Sequence, residues 1–264
     1  MMPHTTRSKD TRCRGAFTIV EVLVLLGITA ALVGLLAPAL SSARAGSRST
    51  RCQTNLKQMA AAAHAYAALY DAFPTAIRYG NSAGSFRRIA WDWVTAGSQV
   101  VSPGALWGFV NNPSEVQQCP DFEPATAAPG GDPYTGYNYN TTYIGGEATF
   151  PQVGWHAVRK GIQPHACSRG HACAMFGDGG WKGGANKFMR APLNSEGLGL
   201  STMYAGGQAF RHRGATSVAF VDGHVGSTRD SLPGAHATDA LLSQYMAYPR
   251  NGFLSNDDSM YDPR

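Results

Sequence analysis

The stretch FTIVEVLVLLGITAALVGLLAPAL, residues 17–40, constrains this chain more than any other part of it. It is apolar apart from Glu21 and a few small polar residues. About 20 such residues in a helix span a bilayer. A cleaved secretory signal has a shorter apolar core and a small-residue cleavage site on its far side. Here the basic segment (Arg7, Lys9, Arg12, Arg14) comes first and the apolar run is long. No Pro or strong turn follows Leu40 until Pro74, so the spacing predicts that the helix continues to Tyr70. Over that continuation Cys52, Leu56, Met59, Ala63, Tyr66 and Tyr70 recur at intervals of three and four, which is one stripe on an α-helix. The second half of the helix is therefore expected to bury one face under a globular head. Gly27, Gly34 and above all Pro38 are points where the helix is expected to bend or break.

Glu21 is the exception within the run. A carboxylate inside a bilayer costs a few kcal/mol or more and marks function when a partner neutralises it. The plain alternative is a residue near enough to the interface to stay hydrated.

Only 15% of the 264 residues are charged, while Gly (31) and Pro (15) are abundant, which favours a loop-rich head with short strands. The net charge of +5 is concentrated in the first sixteen residues, and the rest of the chain is close to balanced. A basic surface of the kind that binds nucleic acid is not expected. Beyond Asp71, RRIAWDWVT and GALWGFV each suggest a strand or a helical turn. Tyr and Thr alternate in YNYNTTY as in a strand. HACAMFGDGGW reads as a short apolar run closed by an Asp-Gly-Gly turn. Residues 210–227 read as a hairpin, with a type I′ turn at Asp222-Gly223.

Several residues invite chemistry. His212 and Asp222 could form an acid–base pair, although an Asp suited to its turn and a His bonded to backbone explain them equally simply. His165, Cys167, His171 and Cys173 hold four potential zinc ligands, at a spacing that matches no known zinc module. With Cys13 in the leading segment, Cys52, Cys119, Cys167 and Cys173 remain, an even number that suits two disulfides in an exported head. A local Cys167–Cys173 bridge leaves Cys52 to pair with Cys119. Asp257, Asp258 and Asp262 in the tail are oxygen ligands of the type calcium uses, but no EF-hand spacing is present. No other cofactor is expected. The tryptophans Trp91, Trp93, Trp107, Trp155 and Trp181 are either core or an exposed binding platform.

Arg14-Gly15-Ala16-Phe17-Thr18-Ile19-Val20-Glu21 resembles the processing site of type IV pilins and the pseudopilins of type II secretion. The resemblance implies cleavage by a prepilin peptidase between Ala16 and Phe17, N-methylation of Phe17, and a role for Glu21 in neutralising the N-terminus of a neighbouring subunit. Ala16 stands where the family usually has Gly. Pro38 matches the family's helix-breaking Pro. His212, Asp222 and Gly223 resemble the H-x(9)-D-G signature of a C-terminal domain found in prepilin-like bacterial proteins. The segments around Cys52 and CPDF at Cys119 are similar to the same group.

These resemblances imply an α+β, pilin-like fold, with a leader at 1–16, a helix at 17–70, half of it transmembrane, and a mainly antiparallel β head at 71–264. They imply a structural subunit of a secretion or pilus-like filament and no catalytic activity. Its partners would be the peptidase, other pilin-like subunits and the bacterial inner membrane, with the leader cytoplasmic and the head periplasmic or extracellular. The competing readings are a membrane-anchored surface binding module and a membrane-anchored enzyme using His212 and Asp222.

Overall fold

The computed structural model describes residues 18–82, 85–97, 99–122, 136–146, 161–180, 187–193, 207–235 and 237–264. Cys13, the Ala16–Phe17 bond, Trp155 and Trp181 lie outside them. Helix α1 runs from Ile19 to Tyr70. Thr18 starts it with a capping box: its Oγ1 accepts from the Glu21 N–H at 3.3 Å, while its own N–H and hydroxyl donate to Glu21 Oε2, each at 2.8 Å. Glu21 therefore has partners within its own chain. The break expected at Pro38 is absent, and the helix passes through that residue. An interior Pro removes a single backbone bond at about 3 kcal/mol, a local defect within a helix of 52 residues.

Two compact units divide the chain, at Met1–Arg44 and Ala45–Arg264. In the first, the large apolar side chains from Ile19 to Leu40 are exposed, and the segment is long and apolar enough to cross a membrane. In the second, the predicted stripe packs inward. Cys52, Leu56, Met59 and Ala63 are buried, joined by Ala60, Ala62 and Ala67. Burying a side chain such as Leu56 or Met59 contributes roughly 1.5–3 kcal/mol. The stripe fades at its end, where Tyr66 is half-buried and Tyr70 exposed. The two rings instead lie 4.5 Å apart.

The rest of the second unit is a mainly antiparallel β head, so the fold is α+β with a long N-terminal helix. Strands β1 (Ile77–Ser82), β2 (Ser85–Ala90), β3 (Trp93–Ala96) and β4 (Gln99–Pro103) form an antiparallel meander. A 3-10 turn at Ala105–Phe109 and a short helix α2 at Pro113–Val116 follow. The second sheet is centred on β6 (Ala174–Gly180). On one side β6 pairs antiparallel with β5 (Tyr137–Asn140), which pairs in parallel with β7 (Phe188–Met189). On the other side lie β9 (Thr216–Phe220) and β10 (Val225–Thr228). Strand β8 (Gly207–Ala209) pairs with the end of β6 and with β11 (Asn251–Gly252).

The α1 stripe packs with Trp91, Trp107, Tyr139, Phe176 and Val221 in one apolar cluster. A second cluster holds Ala174, Met189, Val218, Phe253 and Tyr261. Strand β6 contributes to both and is buried along its whole length.

Two turn assignments change. The Asp-Gly-Gly expected to end the β6 run is part of the strand. Glycines serve there because neighbours crowd the backbone: a Cβ on Gly180 would lie 2.7 Å from the Ala209 nitrogen. The type I′ geometry falls at Arg213 and Gly214, with φ of +58° and +79°, where His212 and Ala215 exchange backbone bonds of 3.0 and 3.1 Å. At the β9–β10 connection only Gly223 has positive φ, +89°, and its N–H donates to Phe220 O at 2.9 Å. That pattern is a type I turn followed by a left-handed glycine.

Candidate functional site

The core beneath α1 contains a polar cluster assembled from four separate segments. Cys52 comes from the buried stripe of α1. Asn55, one turn on, donates from Nδ2 to the carbonyls of Glu115 and Gln118 and to Tyr137 Oη, at 3.2–3.4 Å. It thereby fixes the segment that leads into Cys119. Cys119-Pro120-Asp121-Phe122 is a β-turn, closed by Phe122 N–H donating to Cys119 O at 2.9 Å, with Pro at its favoured second position. Asp178 projects from the middle of β6, and His212 opens the tight turn before β9.

Distances within the cluster are short. The Cys52 thiol donates to Asp178 Oδ1 at 3.1 Å. His212 Nε2 lies 3.4 Å from Cys119 Sγ and 3.2 Å from Asp178 Oδ2. Its Nδ1 lies 2.8 Å from Asp121 Oδ2, and the other Asp121 oxygen accepts from Arg48 Nε. The Ser217 N–H donates to Asp178 Oδ2 at 2.8 Å. Cys52, Cys119 and Asp178 have no exposed surface, and His212 is 4% exposed.

Burial opposes charge on both His212 and Asp178, but their mutual contact outweighs it. The imidazole is raised to about 10 and the Asp178 carboxyl is held below its usual range. Hydrogen bonding to Cys52, and then to His212, lowers the Cys119 thiol to about 7 against the cost of burial, while burial pushes the Cys52 thiol far up. Cys119, His212 and Asp121 thus stand in the order of nucleophile, base and orienting carboxylate. The absence of exposed surface on Cys119 withholds that nucleophile from a substrate. A cavity of about 360 Å³, lined by Arg51, Glu115, Gln118, Cys119, Pro120 and Phe122 among others, lies beside the cluster.

Of the two readings of His212 and Asp222, the acid–base pair does not form: Asp222 sits in its turn, while the His212 ring meets the carboxylates of Asp121 and Asp178 and not a backbone group. Asp222 is exposed and bonds His224, whose N–H and Nδ1 lie 3.1 and 2.6 Å from Asp222 Oδ1. Gly223 serves the turn between them. Cys52 and Cys119, the expected disulfide partners, are neighbours here as free thiols. Asp178 and Asp121 were not expected.

All four described cysteines are free thiols. Cys173 is buried and donates to Tyr261 O at 2.9 Å, while Cys167 is partly exposed. His165 and His171 are exposed, and among the described residues the His/Cys/Asp/Glu ligand atoms that converge are those of Cys52, Cys119, Asp178 and His212. The tail carboxylates have structural partners. Asp257 accepts from the Ser259 N–H, Asp258 accepts from Tyr143 Oη and Leu193 N–H, and Asp262 pairs with Arg264. Trp91, Trp93 and Trp107 are buried, so these three are core and not an exposed platform.

Residues 41–107 match a family of prepilin-like bacterial proteins described as of unknown function (DUF1559). The match covers the second half of α1 and the first sheet. No curated protein matches the chain, and neither does any solved structure.

Proposed function

We propose that this chain is a pilin-like structural subunit, cut between Ala16 and Phe17 by a prepilin peptidase and assembled with like subunits through the first half of α1. The observation that carries the reading is the position of Glu21. It is the one charged side chain between Ile19 and Leu40, and it sits in the first turn of a helix whose later turns form the core of the head. The likeness over residues 41–107 to prepilin-like proteins supports it. The first half of α1 would anchor in the inner membrane, with the head on its outer side and Glu21 meeting the N-terminus of a neighbour. No catalytic role is part of this proposal.

The test is the mass and N-terminus of the protein recovered from membranes, with and without a prepilin peptidase. Loss of residues 1–16 and a methylated Phe17, only when the peptidase is present, is the expected result. An intact leader on protein from peptidase-containing membranes would overturn it.

A further inference from the structure

We propose that Cys52, Cys119, Asp178 and His212 bind a single zinc ion, which clamps α1 to the second sheet. Each residue offers one ligand atom, and the four atoms lie within 4.8 Å of one another. Tetrahedral zinc with sulfur at about 2.3 Å and nitrogen or oxygen at about 2.0–2.2 Å has ligand–ligand edges of roughly 3.3–3.8 Å. His212 Nε2 lies 3.2 Å from Asp178 Oδ2 and 3.4 Å from Cys119 Sγ, and Cys52 Sγ lies 3.1 Å from the other Asp178 oxygen. An ion at the centre would require these short contacts to lengthen slightly and the remaining edges, none beyond 4.8 Å, to shorten by at most about 1 Å.

The donor types suit this ion. Two sulfurs, one imidazole nitrogen and one carboxylate oxygen make a borderline-soft, four-coordinate set, which favours zinc over oxygen-seeking calcium or magnesium. The surrounding groups orient those donors. Asp121 holds His212 Nδ1, which presents Nε2 to the cluster, and Arg48 holds Asp121 in turn. A carboxylate behind a ligand histidine is the usual support of a zinc site. The Ser217 N–H fixes Asp178.

The role is structural. Four protein ligands without exposed surface, or nearly so, leave no open position for a substrate. The ligands are far apart in sequence, so the binding free energy would act directly on folding. On binding, the thiols lose their protons to solvent, so affinity falls as the medium is acidified. The same thiols are the two that a Cys52–Cys119 disulfide would consume, and the two states exclude each other.

The experiment uses the full chain in detergent. Protein from membranes lysed in the presence of a thiol-blocking reagent is mapped by mass spectrometry. A second sample is reduced, washed with chelator and titrated with cobalt(II), then with zinc. The expected result is one cobalt per chain, with sulfur-to-cobalt charge-transfer absorption and the visible bands of a tetrahedral ion, both lost as zinc displaces it. Zinc should also shield Cys52 and Cys119 from alkylation while Cys167 stays reactive. Asp121→Asn should weaken binding by about 10–100-fold, as loss of such a supporting partner does, and Cys167→Ser should leave it unchanged. A stoichiometric Cys52–Cys119 disulfide in protein from membranes would overturn the proposal. So would wild-type protein whose cobalt spectrum lacks thiolate charge transfer. The wild-type samples decide the matter, so a variant that fails to fold does not.

Discussion

Glu21 shows how one side chain can satisfy two demands. Its carboxylate closes a capping box with Thr18, which satisfies backbone donors at the start of α1. In the proposed filament the same group meets the N-terminus of another subunit. Thr18→Val removes the hydroxyl from the box and keeps the charge, whereas Glu21→Val removes both the cap and the charge. Crosslinking of subunits in membranes should therefore be retained in Thr18→Val and lost in Glu21→Val. Equal loss in the two variants would reduce Glu21 to a helix cap. The T-x-x-E pattern of the box is legible in the sequence at Thr18 and Glu21. Asp178 is hidden there. Asp-Gly-Gly ordinarily marks a turn, and here close packing against β8 requires Gly180 inside a strand.

Elements were legible where a period governed them. The three-and-four spacing of Cys52, Leu56, Met59 and Ala63 identified the buried face of α1, because a helix repeats its faces locally. Met59→Ala should destabilise the head by about 2–5 kcal/mol, the range for emptying a close-packed core site. Tyr70→Ala, on the exposed end of the same stripe, should stay within roughly 0.5 kcal/mol. Urea unfolding of the detergent-solubilised chain measures both, and comparable losses would contradict the observed burial. Turn chemistry was less legible. His212 and Asp222 have a fixed spacing, but strand β9 lies between them, so the spacing sets the length of a hairpin arm and not a contact. No local rule could have joined residues 52, 119, 178 and 212, since sheet pairing and helix docking bring them together only after folding.

For the whole molecule, the cluster lies where α1, the CPDF turn, β6 and the turn before β9 meet. Removing one member of a buried, mutually neutralising set leaves its partner uncompensated. Asp178→Ala should therefore cost about 3–5 kcal/mol in urea unfolding of the metal-free, reduced chain, while Asp222→Ala, at an exposed turn, should cost under about 1 kcal/mol. A small effect at Asp178 would show that the cluster is peripheral to stability. The division of the chain into units also bears on how the head could ever be shed from a membrane. Leu56, Met59 and Ala63 belong to the core of the unit that begins at Ala45. A protease that clipped after Tyr70 would release a fragment stripped of helix α1, exposing to water the apolar cluster that packs on it, Trp107, Tyr139 and Phe176 included. To liberate an intact soluble form, the cut must fall ahead of Cys52, in the short stretch that follows Leu40.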